Sequence, residues 1–132
     1  MRPATAWLLA LATLCFAATQ KRKSPPPPPA VQILEVVPRR SEGLITIDGR
    51  LRNIGARPLE GLELVLDFAA SDGQVITRQR GAVETDPLDP GQEAEFRWQM
   101  RDHPRAVSVR IRAVARKDAE LPVKNAGPHF IE

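Results

Sequence analysis

From Val31 onward, apolar residues recur at every second position, and no segment after residue 30 carries the 3.6-residue period of an amphipathic helix. A chain patterned this way hides one face of each extended segment, and it can do so only against a second sheet. "VQILEVV", Val31 to Val37, supplies a short first strand. In "LITIDGRL", Ile45, Ile47 and Leu51 share one face, opposite Thr46, Asp48, Arg50 and Arg52. "LELVLDF" sets Leu62, Leu64, Leu66 and Phe68 inward against Glu63 and Asp67. A further strand is expected near Gln74–Arg80. Later, Ala94, Phe96, Trp98 and Met100 alternate with Glu95, Arg97, Gln99 and Arg101, and Val107, Val109, Ile111 and Ala113 alternate with Ser108, Arg110 and Arg112. Short strands of this kind at roughly ten-residue spacing predict an all-β fold, an immunoglobulin-like antiparallel β-sandwich of about seven strands over residues 31–116. Residues 117–132, broken by Pro122 and Pro128, are expected to form a last edge strand or a C-terminal tail.

The turns between strands have their own chemistry. Asp72-Gly73 is expected to supply the positive backbone torsions of a tight turn, and Pro90-Gly91 the central pair of a type II turn. Asn53 can bond the backbone of its own turn, with Gly55 taking a left-handed conformation. Phe68, Phe96 and Trp98 read as core fillers.

Ahead of the strands lie two segments of different character. Residues 1–19 begin with Arg2, continue uncharged and end in small residues, the order of a secretory signal peptide. As a helix, Ala4 to Thr19 would reach about 24 Å, short of the roughly 30 Å hydrocarbon core. Residues 20–30 carry Lys21, Arg22 and Lys23 and then five prolines, a stiff polyproline spacer. Export to the periplasm or beyond is therefore expected, with membrane association only if the leader stays uncut or Cys15 is lipidated. A chain cut after residue 19 has no cysteine, so a hydrophobic core rather than disulfides must hold it.

The chain has 19 basic and 16 acidic residues. Four of the basic ones, Arg2, Lys21, Arg22 and Lys23, precede the domain, which leaves 15 against 16. A near-neutral domain argues against nucleic acid as a partner.

Few residues offer reactive chemistry. His103 and His129 stand beside prolines in apparent loops, and Ser24, Ser41, Ser71 and Ser108 lie in no nucleophile motif. Glu84, Asp86 and Asp89 match no calcium loop, and aspartate before proline is turn chemistry. No metal or other cofactor is expected. Arg97 and Arg101 share the outward face of one strand, and Arg110 and Arg112 that of another. If both strands lay in one sheet, the four guanidinium groups would form an anion-binding patch for acidic polymer or lipid.

"GRLRNIGARPLEGLELVLDFAASDGQVI" followed by "LDPGQEAEFRW" resembles the FxLYD family of bacterial and archaeal cell-envelope domains, over about Gly43 to Ala115. Phe68 aligns with the aromatic that opens the family signature, and Ala69 and Ala70 stand where its tyrosine and aspartate would be. The resemblance implies an immunoglobulin-like sandwich exported behind a signal peptide. The expected function is a non-enzymatic envelope module that binds a protein partner or acts as a scaffold. A hydrolase would require His103 or His129 beside a serine or a carboxylate.

Overall fold

The computed structural model describes residues 27–116 and 119–132; the expected leader and residues 20–26 of the spacer lie outside the described residues. Within them the chain forms nine strands: β1 (Val31–Ser41), β2 (Leu44–Asn53), β3 (Glu63–Ala69), β4 (Val75–Ala82), β5 (Glu93–Arg101), β6 (Ser108–Ala115), β7 (Ala119–Leu121), β8 (Val123–Lys124) and β9 (His129–Phe130). One sheet has the order β5-β2-β1-β8 and the other β4-β3-β6-β7, with β9 also paired to β6. The two sheets form an immunoglobulin-like β-sandwich.

The core follows from the alternation. Ile45, Ile47 and Leu51 of β2 face Leu64, Leu66 and Phe68 of β3 and Val109, Ile111 and Ala113 of β6, all buried. At the start of β1, Val31 and Ile33 point the same way. A bulge at Leu34 then shifts the register, so that Pro38 takes the buried position opposite Ile47.

Several turns match their chemistry. At Asp89–Gln92, Gly91 has φ 80° after Pro90, and the Gln92 amide donates to the Asp89 carbonyl at 2.9 Å, as a type II turn requires. Between β3 and β4 only Gly73 takes a positive φ, 84°. Asp72 stays in ordinary torsions and acts through its carboxylate, which accepts from the Gln74 amide at 3.0 Å. A register shift at Phe68/Ala69 absorbs the extra residue of this longer loop. Gly55 also departs from expectation, because its φ is not positive. It contributes an amide rather than a left-handed torsion.

The C-terminal segment is neither one strand nor a tail. Its chain crosses between the sheets twice: β7 lies on β6, β8 pairs with β1 in parallel, and β9 returns to β6. The sandwich is thus not wholly antiparallel. Pro122 accepts from the Ala30 amide at 2.9 Å, and the Glu132 carbonyl from the Arg40 amide at 2.9 Å. His129, expected in a loop, sits in β9.

Two glycines are fixed by aromatic rings. A Cβ at Gly49 of β2 would stand 2.2 Å from the Phe96 ring and 2.7 Å from the Glu35 carbonyl oxygen. One at Gly81 of β4 would stand 2.0 Å from the Trp98 ring. Phe96 therefore lies over its own sheet, while Trp98 crosses to the other and closes the β4–β5 side. Gly49→Ala is expected to cost about 1–3 kcal/mol, because the obstructing Glu35 oxygen is backbone and cannot swing aside. Gly81→Ala meets only a side chain, so Trp98→Leu in the same chain should recover much of its loss. Urea midpoints of the two single variants and of the Gly81→Ala, Trp98→Leu double variant check both statements; a Gly49→Ala protein as stable as its parent would refute the first.

Candidate functional site

Asn53 ends β2 fully buried, and its side chain is saturated. Nδ2 donates to the carbonyls of Arg57 at 2.8 Å and Leu88 at 2.9 Å, while Oδ1 accepts from the Gly55 amide at 3.0 Å. Its main chain donates to Gln92 and accepts from Gly91 at 2.7 Å. Asn53 does bond its own turn, as its residue type suggests. Its reach to Leu88, 35 positions away, was not legible from spacing.

Asp67 is the second committed polar group. Alternation predicts it on the solvent face of β3, yet only 6 % of it is exposed. Arg78 of β4 donates to Oδ1 at 2.7 Å and Arg112 of β6 to Oδ2 at 2.7 Å, so guanidinium groups from both flanking strands close over it. Burial alone pushes the Asp67 carboxyl up, but the hydrogen bonds and charges of Arg112 and Arg78 outweigh it and hold the group below its ordinary value. Arg112 also pairs with Glu120 of β7 at 3.6 Å, and Glu63 pairs with Arg80 nearby. Val65, buried on this same outer face, has Arg80 and Arg112 as register partners, whose alkyl stems shield it.

The four arginines do not meet. Arg97 and Arg101 lie on β5 in one sheet, and Arg110 and Arg112 on β6 in the other. Their outward faces therefore point to opposite sides of the sandwich, and no common anion patch forms. Arg97 pairs instead with Asp48 at 3.1 Å, and Arg112 is held by Asp67.

An open groove of about 590 Å³ follows the β5 side of the first sheet. Gly81, Phe96 and Trp98 form its apolar part; Glu35, Asp48, Arg50, Glu95 and Arg97 carry its charges. Arg50 lies 3.9 Å from Glu35 and 4.0 Å from Glu93, so the charges are locally balanced. Trp98 Nε1 is buried without a hydrogen-bond partner among the described residues.

The histidines make backbone contacts. His103 Nδ1 accepts from the Arg105 amide at 3.3 Å, and His129 Nε2 lies 3.0 Å from the Asn125 carbonyl. Asp86 accepts from the Gly61 amide at 3.0 Å, and Asp89 belongs to the type II turn. Among the described residues no three histidine, aspartate or glutamate side chains gather as a metal site. A staple invisible in the sequence is Arg40, which donates to Asp102 at 2.7 Å and to the Ala106 carbonyl at 2.5 Å, fixing the β5–β6 loop to β1.

Removing the Asn53 amide leaves two carbonyls unmet, so Asn53→Ala should cost about 2–3 kcal/mol in chemical denaturation. Asn53→Asp should be no better, because a carboxylate cannot donate. For Asp67, a carboxyl that titrates lower when folded than its unfolded value of about 3.9 stabilises fully above that value. That stability is lost as pH falls through the lower folded value. Asp67→Asn should be less stable at neutral pH but show a flatter loss between about pH 5 and about pH 2. Equal slopes in the two proteins would remove Asp67 from acid unfolding.

No protein-family model matches the chain, and no curated protein is significantly similar to it. Among solved structures, IrmA from Escherichia coli is similar at TM-score 0.51 and 12% identity, covering 77% of this chain and 95% of that one. A putative ApaA protein from Bordetella pertussis aligns at TM-score 0.45 and 18% identity over 74% of this chain and 89% of its own. The IrmA likeness places the chain in a fold already seen in a bacterial protein and bears on the fold alone.

Proposed function

We propose that this chain is a non-enzymatic, exported β-sandwich module that binds a protein partner or serves as a scaffold in the bacterial cell envelope. The observation that carries the reading is the use of the buried polar side chains. Asn53 is spent on loop carbonyls and Asp67 on two arginines, so neither turns toward a cavity where a substrate would sit. What the sandwich offers instead is surface, a charge-alternating sheet face bordered by the half-buried rings of Phe96 and Trp98. The leader-like residues 1–19 and the proline spacer support delivery of that surface outside the cytoplasm. The FxLYD resemblance favours the same compartment.

Expression of the full chain in a Gram-negative host, followed by fractionation and intact-mass measurement, tests this. A product beginning near Ala18 to Gln20 in the extracytoplasmic fraction is expected. The uncut 14.6 kDa chain in the cytoplasm would overturn it.

A further inference from the structure

Strand β5 ends the first sheet, and its outer edge has no partner among the described strands. It is nine residues long, contains no proline, and pairs with β2 without a register shift. Its inward positions, Ala94, Phe96, Trp98 and Met100, carry no charge. The devices that usually blunt an exposed edge are thus missing. The edge of the other sheet, β4, has a bulge at its start and two arginines, Arg78 and Arg80, on its outward face.

The hydrogen-bond phase of β5 is set at its two ends. The Asn53 amide donates to the Gln92 carbonyl, and the Asp102 amide to the Gly43 carbonyl. By antiparallel alternation, Ala94, Phe96, Trp98 and Met100 bond β2, and the odd-numbered residues turn their N–H and C=O groups to the open edge. Those residues read Glu93, Glu95, Arg97, Gln99, Arg101, acidic in the first half and without acidic residues in the second. A strand with that order complements its own antiparallel copy.

We propose that two copies of this chain pair β5 with β5 about a two-fold axis at Phe96, joining two four-stranded sheets into one. In this register Glu95 of each copy stands opposite Arg97 of the other, and Glu93 opposite Gln99. All are odd-numbered, so their free backbone groups meet. Inward, Phe96 faces Phe96 and Ala94 faces Trp98. Sliding the axis to Arg97 would set two arginines against each other, and pairing β4 with itself would bring four together, both unfavourable directly across a ladder. Arg97 holds Asp48 through Nε, which leaves its terminal nitrogens for the second copy's Glu95. The proposal concerns assembly and does not depend on the compartment or function inferred above.

Sedimentation of the full chain, purified as it is exported or retained, provides the test. The parent protein should be a concentration-dependent dimer. Glu95→Arg and Arg97→Glu should each weaken it by about tenfold to a hundredfold, since both cross-strand pairs become repulsive. Mixing the two variants should restore a dimer, because every arginine then faces a glutamate. The mixture also controls for folding, as neither chain could be rescued by its partner if it were unfolded. A parent that stays monomeric to about millimolar concentration would overturn the proposal. So would a dimer indifferent to both substitutions, or singles that weaken it without restoration on mixing. A monomer whose Glu95, Arg97 and Gln99 amides resist hydrogen exchange would point to another occupant of the edge, such as residues 1–26, and would likewise refute a second copy.

Discussion

The amide of Asn53 is the constraint on which one end of the sandwich depends. It lies where β2 stops, and three side-chain hydrogen bonds tie that point to Gly55, Arg57 and Leu88. Leu88 belongs to the connection between β4 and β5, and the Leu59–Leu88 bridge, with both amides donating at 2.9 Å, joins it to the connection between β2 and β3. Two long loops of different origin are therefore sealed by one side chain and one backbone bridge. Buried polar groups are costly unless satisfied, and here every hydrogen-bonding group of the amide finds a partner. That saturation fixes where β5 begins, since the Asn53 main chain also binds Gly91 and Gln92.

At the other end the same task falls to a charge. Arg40 reaches from the β1 end of the first hairpin to Asp102 and the carbonyls of His103 and Ala106. The hairpin that positions it turns at Glu42 and Gly43, both with positive φ, which suits the twist of a two-residue connection. The C-terminal residues complete the closure, because Glu132 bonds β1 while Ile131 bonds Val107 beside β6. Stability without disulfides is thus distributed over a core and a few main-chain staples at the ends of the strands.

The strands, the core side of each and the boundary at Val31 were legible in the sequence because period-two alternation reports burial directly. What alternation cannot report is which sheet a strand joins. Arg97 and Arg110 look equivalent by pattern, both outward on their strands, yet they emerge on opposite faces of the molecule. Nor does alternation measure how deeply an outward residue is covered. Asp67 reads as solvent-facing, and two long arginines from neighbouring strands bury it. Gly49 and Gly81 read as weak points in strands, but each is the floor on which an aromatic ring rests. The groove is legible only in part: Phe96 and Trp98 were visible as large residues on one face, while the glycines that receive them became meaningful only across the pairing.

The charge pattern explains why a nearly neutral domain can still present a specific surface. Net charge governs long-range attraction, whereas the order of charges along a ladder governs which partner and which register fit. On the outer face of the β4-β3-β6-β7 sheet, Glu63, Asp67 and Glu120 neutralise arginines within the chain, and the face is internally satisfied. On β5 the separation into an acidic first half and a second half without acids leaves complementarity unspent at an open edge. The two sheets therefore differ in kind: one uses its charges to cover its own surface, and the other keeps an ordered row of them beside unpaired backbone groups. That difference, rather than the excess of arginine over lysine, distinguishes the β5 side as the surface through which this sandwich meets another strand.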